Sequence, residues 1–119
     1  MTCRTRPILC LTACAIAVSL VAPPPAASQD AAAIKRGAEV YAAQKCQTCH
    51  LIAGKGSKTS PLDGVGAKLS ATDIREWIVH PLEMAAKAQS QKKPSMPAKW
   101  GTLPAADLDA LVAYLASLK

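Results

Sequence analysis

The sequence predicts an all-α fold of about four short helices, and three observations carry that prediction. Apolar residues recur at helical spacing near both ends of the folded part: Ile34, Gly37, Val40 and Tyr41, then Leu108, Leu111, Val112, Leu115 and Leu118. No stretch alternates strand and helix patterns as a βαβ unit would. Alanine, the strongest helix former, supplies 24 of the 119 residues, against four aromatics and no Phe.

The length allows one domain at most. From Gln29 onward there are 91 residues, with only 23 large apolar side chains among them. That is thin, because folding must offset roughly 1–2 kcal/mol of backbone entropy per residue. Low charge and clear periodicity argue against disorder. The composition leaves room for a further apolar group in the core.

Residues 1–28 read as a cleaved signal peptide. Arg4 and Arg6 form a basic start, Ile8 to Ala22 is an uncharged 15-residue run, and small residues follow three prolines up to Ser28. As a helix that run spans ~22 Å, short of the ~30 Å hydrocarbon core. Leu11-Thr12-Ala13-Cys14 offers a lipoprotein-type alternative, but the apolar run continues past Cys14. Export to the periplasm removes Cys3, Cys10 and Cys14, leaving Cys46 and Cys49 in the domain 29–119. The remaining 12 basic and 8 acidic side chains give a mild +4. No basic run with interleaved aromatics calls for nucleic acid.

Along that domain the first helix is expected over residues 31–44, where Gly37 allows close approach of another helix. Residues 72–80 read as a helix with Thr72 as N-cap, closed by Pro81, with Ile74, Trp77 and Ile78 on one face. Residues 81–91 look helical and contain Met84, and the stretch 85–93 could add a turn. The last helix opens at Pro104, with Pro at its first position and Thr102 or Leu103 as cap.

Cys46-Gln47-Thr48-Cys49-His50 is a C-x-x-C-H pentapeptide, the attachment signature of c-type haem. The spacing lets two thioethers reach two vinyl groups on one edge of the macrocycle. A helical turn then brings the imidazole of His50 under the iron. A zinc site would need more ligands than two Cys, His50 and His80 arranged without a second C-x-x-C. A redox dithiol would need a βαβ setting, and one disulfide would suit an oxidising compartment.

For the sixth ligand the candidates are His80, Met84 and Met96. Met96 is preferred because Pro94 and Pro97 keep its segment non-helical, which suits a thioether placed opposite His50. Met84 reads as packing, and His80 is biased by the following proline. His/Met ligation would raise the reduction potential and leave no coordination position for a substrate.

With these residues in view, the chain resembles the class I c-type cytochromes, small exported monohaem electron carriers. Four elements in order carry the resemblance: Gly37 to Tyr41, the pentapeptide, Pro61-Leu62-Asp63-Gly64-Val65, and Ser95-Met96-Pro97 before a closing helix with Leu111, Tyr114 and Leu115. The resemblance implies a cytochrome c fold, about four short helices wrapped around one covalently bound haem c. It implies that the first and last helices cross near Gly37, Tyr41, Leu111 and Tyr114. It also implies that the Pro61 carbonyl accepts the Nδ1 proton of His50, that Leu62 touches the haem, and that Trp77 packs on the Met96 side. Trp100 is a candidate donor to a propionate.

The implied function is single-electron shuttling, not enzyme catalysis, between redox partners met at an exposed haem edge. Lys45, Lys55, Lys58, Lys68, Lys87, Lys92, Lys93 and Lys99 could ring that edge and steer acidic partners. The mature form is expected to be monomeric and not membrane-spanning. The alternatives are a haem-bearing subunit of a larger oxidoreductase, or a haem enzyme with an open sixth site.

Overall fold

A computed structural model of the chain describes residues 26–119. The expected signal segment, residues 1–28, lies outside them except for its last three residues. Helix α1 spans Ala26–Ala43 and so starts earlier than residue 31. The difference follows from the alanines after Pro25, since nothing between Ala26 and Ala31 breaks a helix.

A 3-10 turn at Cys46–Thr48 precedes three very short strands, β1 His50–Ile52, β2 Lys55–Gly56 and β3 Ser60–Pro61. Then come α2 Val65–Lys68, α3 Ala71–Val79, α4 Pro81–Lys87, a second 3-10 segment Ala98–Thr102, and α5 Ala105–Ser117. The described residues are mostly helical, as expected, with five helices among them because one turn forms at α2. The sheet has the order β2-β1-β3, with β2 antiparallel and β3 parallel to β1. Strands of two or three residues carry no periodic signal, so the sequence does not announce them.

The core is built mainly by α1 and α3 packing on α5. Val40, Tyr41, Ile74, Ile78, Leu108, Leu111, Val112 and Leu115 form its buried cluster. Gly37 lies directly against Ala110 and Tyr114, where a side chain would not fit. The Tyr41 and Tyr114 rings meet edge to face, with centroids 5.8 Å apart.

Two helix starts differ from expectation. Ser70, not Thr72, caps α3: Ser70 Oγ accepts from Asp73 N at 3.1 Å, and the Asp73 carboxylate accepts from Ser70 N at 3.2 Å. This reciprocal capping box lets α3 begin at Ala71. Pro104 is itself the N-cap of α5, without a side-chain cap, and its carbonyl accepts from Asp107 N and Leu108 N. The Thr102 hydroxyl instead donates to the Lys99 carbonyl at 2.7 Å. The helix over 81–91 ends at Lys87, after which residues 88–97 run irregularly. Among the described residues, no helix is long and apolar enough to cross a membrane.

Candidate functional site

The pentapeptide is held by its own neighbours. Lys45 adopts a left-handed conformation, φ 56°, that turns the chain out of α1 into the 3-10 turn. Cys49 N donates to the Cys46 carbonyl at 3.2 Å, so both cysteines sit on one tight turn. Ser57 N then donates to Gln47 O at 3.0 Å, and Ser60 N to Cys49 O at 3.2 Å. Gly56 makes this wrap possible. It sits at φ +105°, and a Cβ there would run into the His50 and Gln47 carbonyls.

The parallel register pairs His50 with Ser60 and Leu51 with Pro61. It sets His50 Nδ1 2.9 Å from the carbonyl oxygen of Ser60. The expected acceptor, the Pro61 carbonyl, is therefore corrected by one residue: in this register the Ser60 carbonyl faces the imidazole. With Nδ1–H donated there, Nε2 is the nitrogen left for a ligand role. Tyr41 Oη donates to the His50 carbonyl at 3.3 Å, and burial pushes its phenol up to about 12, keeping it a neutral donor.

Cys46, Cys49, His50, Pro61, Leu62, Trp77 and Met96 all line one cavity of about 870 Å³. Its floor is the core itself, because Tyr41, Ile74, Ile78, Leu111 and Leu115 belong to both. Of the three candidates for sixth ligand, Met96 lines the cavity and His80 and Met84 do not. The size falls in the ~300–1,000 Å³ range of cofactor sites.

Other uses of the cysteines fit poorly. Cys46 and Cys49 are not joined in a disulfide. Burial pushes the Cys46 thiol up to about 11, whereas a thiol-exchange centre needs a depressed value. Among the described residues, no three His, Cys, Asp or Glu side chains gather as zinc would require.

A scan against protein families matches residues 34–119 to Cytochrome c. The chain belongs to the cytochrome c family. No curated protein and no solved structure matches it. As a class I c-type cytochrome it carries covalently bound haem c and transfers electrons through it. The residues fit the group: paired cysteines on one turn, an oriented imidazole beside them, a thioether on the same cavity, and apolar walls elsewhere. The thin core is explained at the same time, since this cytochrome c closes its buried cluster around a space for a large apolar partner.

Charge around the cavity is segregated. Lys45, Lys92 and Lys99 line it, and no Asp or Glu does. Lys55, Lys58, Lys68, Lys87 and Lys93 lie outside the lining. The ion pairs lie among α1, α3 and α5: Arg36 with Glu39 and Asp107, and Arg75 with Asp109. Among the described residues no lysine is in an ion pair.

Trp100, the candidate donor to a propionate, borders the cavity too. Its ring lines the cavity, with Lys99 Nζ 4.8 Å from the ring centroid, but its Nε1 is buried and has no hydrogen-bond partner.

Sequence reading missed Ser60 and the reach of Lys92 to it. Any residue's carbonyl can serve as an acceptor, so Ser60 carries no signal of its own. Lys92 meets Thr59 and Ser60 across 33 and 32 residues of chain.

Proposed function

We propose that this cytochrome c is a periplasmic electron carrier, with Cys46 and Cys49 as thioether anchors and His50 and Met96 as axial ligands. The observation that carries the reading is the convergence of those four side chains on one apolar-floored cavity. When bound, haem supplies a one-electron couple at its iron. Cys46 and Cys49 fix its edge. The Ser60 carbonyl holds the His50 ring through Nδ1, which would leave Nε2 free as a ligand to the haem iron. Met96 would supply the second protein ligand and compete with exogenous ones, while Leu62, Trp77 and the core cluster would exclude water. Little then moves when the charge changes, which suits electron exchange without substrate binding.

The signal peptide over residues 1–28 and the mature domain 29–119 belong to the same proposal, as does a monomeric mature form. Lys45, Lys92 and Lys99 at the cavity favour redox partners with acidic faces, since unpaired like charges project a field that ion pairs would cancel. No nucleic acid has a place in this reading.

Visible spectroscopy and carbon monoxide binding on the purified holoprotein test it. The expected result is a far-red charge-transfer band in the oxidised form, as a thioether ligand gives, and slow carbon monoxide binding after reduction. Rapid binding would replace the carrier by an open-site enzyme. Mass measurement of the mature chain reads the haem adduct and the cleavage point together.

A further inference from the structure

Gln91, Lys92, Pro94, Ser95 and Met96 line the cavity from one irregular stretch of chain. No backbone–backbone hydrogen bond is formed in this stretch among the described residues. Its other side-chain bonds are local, Gln91 Nε2 to Gln89 O and Lys92 N to Ser90 Oγ. One side chain reaches away. Lys92 Nζ donates to the Thr59 carbonyl at 3.1 Å and lies 3.4 Å from Ser60 Oγ.

The place it reaches is the dipeptide that orients the imidazole, for the Ser60 carbonyl sits 2.9 Å from His50 Nδ1. The place it starts from is four residues before Met96 in the same irregular segment. Lys92 also lines the cavity. A single ammonium group thus joins the segment that carries Met96 to the strand that supports His50.

We propose that Lys92 is a positioning residue that latches the Met96 segment to the strand supporting His50, and so sets how readily the thioether leaves. This rests on the reading of Met96 as the sixth ligand. An ammonium suits the task, because it can share three donors between a carbonyl and a hydroxyl without strict planarity. The latch is exposed, so its contribution is modest; Met96 also packs against the core cluster and is not held by Lys92 alone.

The test uses the holoprotein with haem attached, as wild type, Lys92→Leu and Lys92→Arg. Lys92→Leu removes the donors and adds no metal ligand; Lys92→Arg restores them. The rate of carbon monoxide combination with the reduced form reads thioether departure, and imidazole titration of the oxidised form, followed at the far-red band, reads it a second way. Lys92→Leu is expected to raise the rate and the imidazole affinity about 3- to 10-fold, as loss of one charge-assisted bond allows. Lys92→Arg is expected to return both towards wild type. A Lys92→Leu protein indistinguishable from wild type in both measurements would overturn the latch. So would an increase that Lys92→Arg fails to reverse. If wild type itself lacks the far-red band, it is the Met96 reading that fails, and the latch falls with it.

Discussion

Gly37 of α1 faces Ala110 of α5 so closely that a Cβ added at 37 would lie 2.7 Å from the Ala110 carbonyl carbon and 2.5 Å from Tyr114 Cβ. Both helix backbones would have to separate to admit it. In an exposed helix Gly→Ala gains ~1 kcal/mol. Here overpacking of ~1–3 kcal/mol opposes that gain. Gly37→Ala is expected to destabilise the holoprotein, with a lower midpoint in thermal unfolding. A raised midpoint would mean that the two helices can part at no cost.

The hydrogen bond from His50 to the Ser60 carbonyl sets two substitutions in contrast. Pro61→Ala leaves the carbonyl of residue 60 in place, so the spectrum and reduction potential are expected to stay near wild type. Gly56→Ala forces a side chain into a left-handed backbone at φ +105° and against the Gln47 carbonyl. It is expected to cost about 2–4 kcal/mol of stability. Voltammetry and denaturant unfolding on both variants check the contrast.

Much of the buried cluster faces the cavity, so removing the tether should remove the fold. Replacing Cys46 and Cys49 together by Ala is expected to give a largely unfolded chain by circular dichroism. A helical, cooperatively melting double variant would show that 23 large apolar side chains suffice by themselves.

The Ser70–Asp73 capping box predicts a pH signature. Hydrogen bonds from the Ser70 hydroxyl and backbone hold the Asp73 carboxyl below its ordinary 3.8. A depressed carboxylate stabilises the fold above the unfolded value, and that contribution is lost as pH falls through the folded value. The stability gap between wild type and Asp73→Asn should therefore be full near neutral pH and close as pH falls through the lowered folded-state value of Asp73. Ser70→Ala should cost ~1 kcal/mol as a lost N-cap.

Lysines without carboxylate neighbours at the cavity predict salt-sensitive encounter. The Debye length shortens from ~30 Å at 0.01 M salt to ~10 Å at 0.1 M. Second-order electron transfer with an acidic partner protein should slow severalfold over that range, and less steeply in Lys99→Gln. A flat profile would remove steering.

What the sequence made legible was what repeats or carries fixed spacing. Helices α1 and α5 showed through the recurrence of Val40, Tyr41, Leu108, Leu111 and Leu115, and the pentapeptide showed through its chemistry. Ser70-x-x-Asp73 was also visible as a capping box, but Thr72 stood closer to the apolar run and drew the assignment. The one-turn α2 and the strands are too short for any period to register. Ser60 was hidden for another reason, since a parallel register two or three residues long decides which carbonyl meets His50. The pairing of Lys92 with Thr59 exists only once the chain has folded back over the cavity.

The last helix holds more than one partner in place. Besides meeting Gly37 at Ala110, it approaches α2 where Gly66 touches the Ala116 carbonyl, and Gly66 N donates to Leu118 O at 2.8 Å. Lys119 Nζ donates to the Gly66 carbonyl at 2.6 Å. Lys119 and Gly66 stand 53 residues apart in the chain, and closing so long a loop is slow. Once α5 docks, Cys46 is partly buried and its thiol resists ionisation. Haem attachment is therefore expected to be easier before this packing forms than after it.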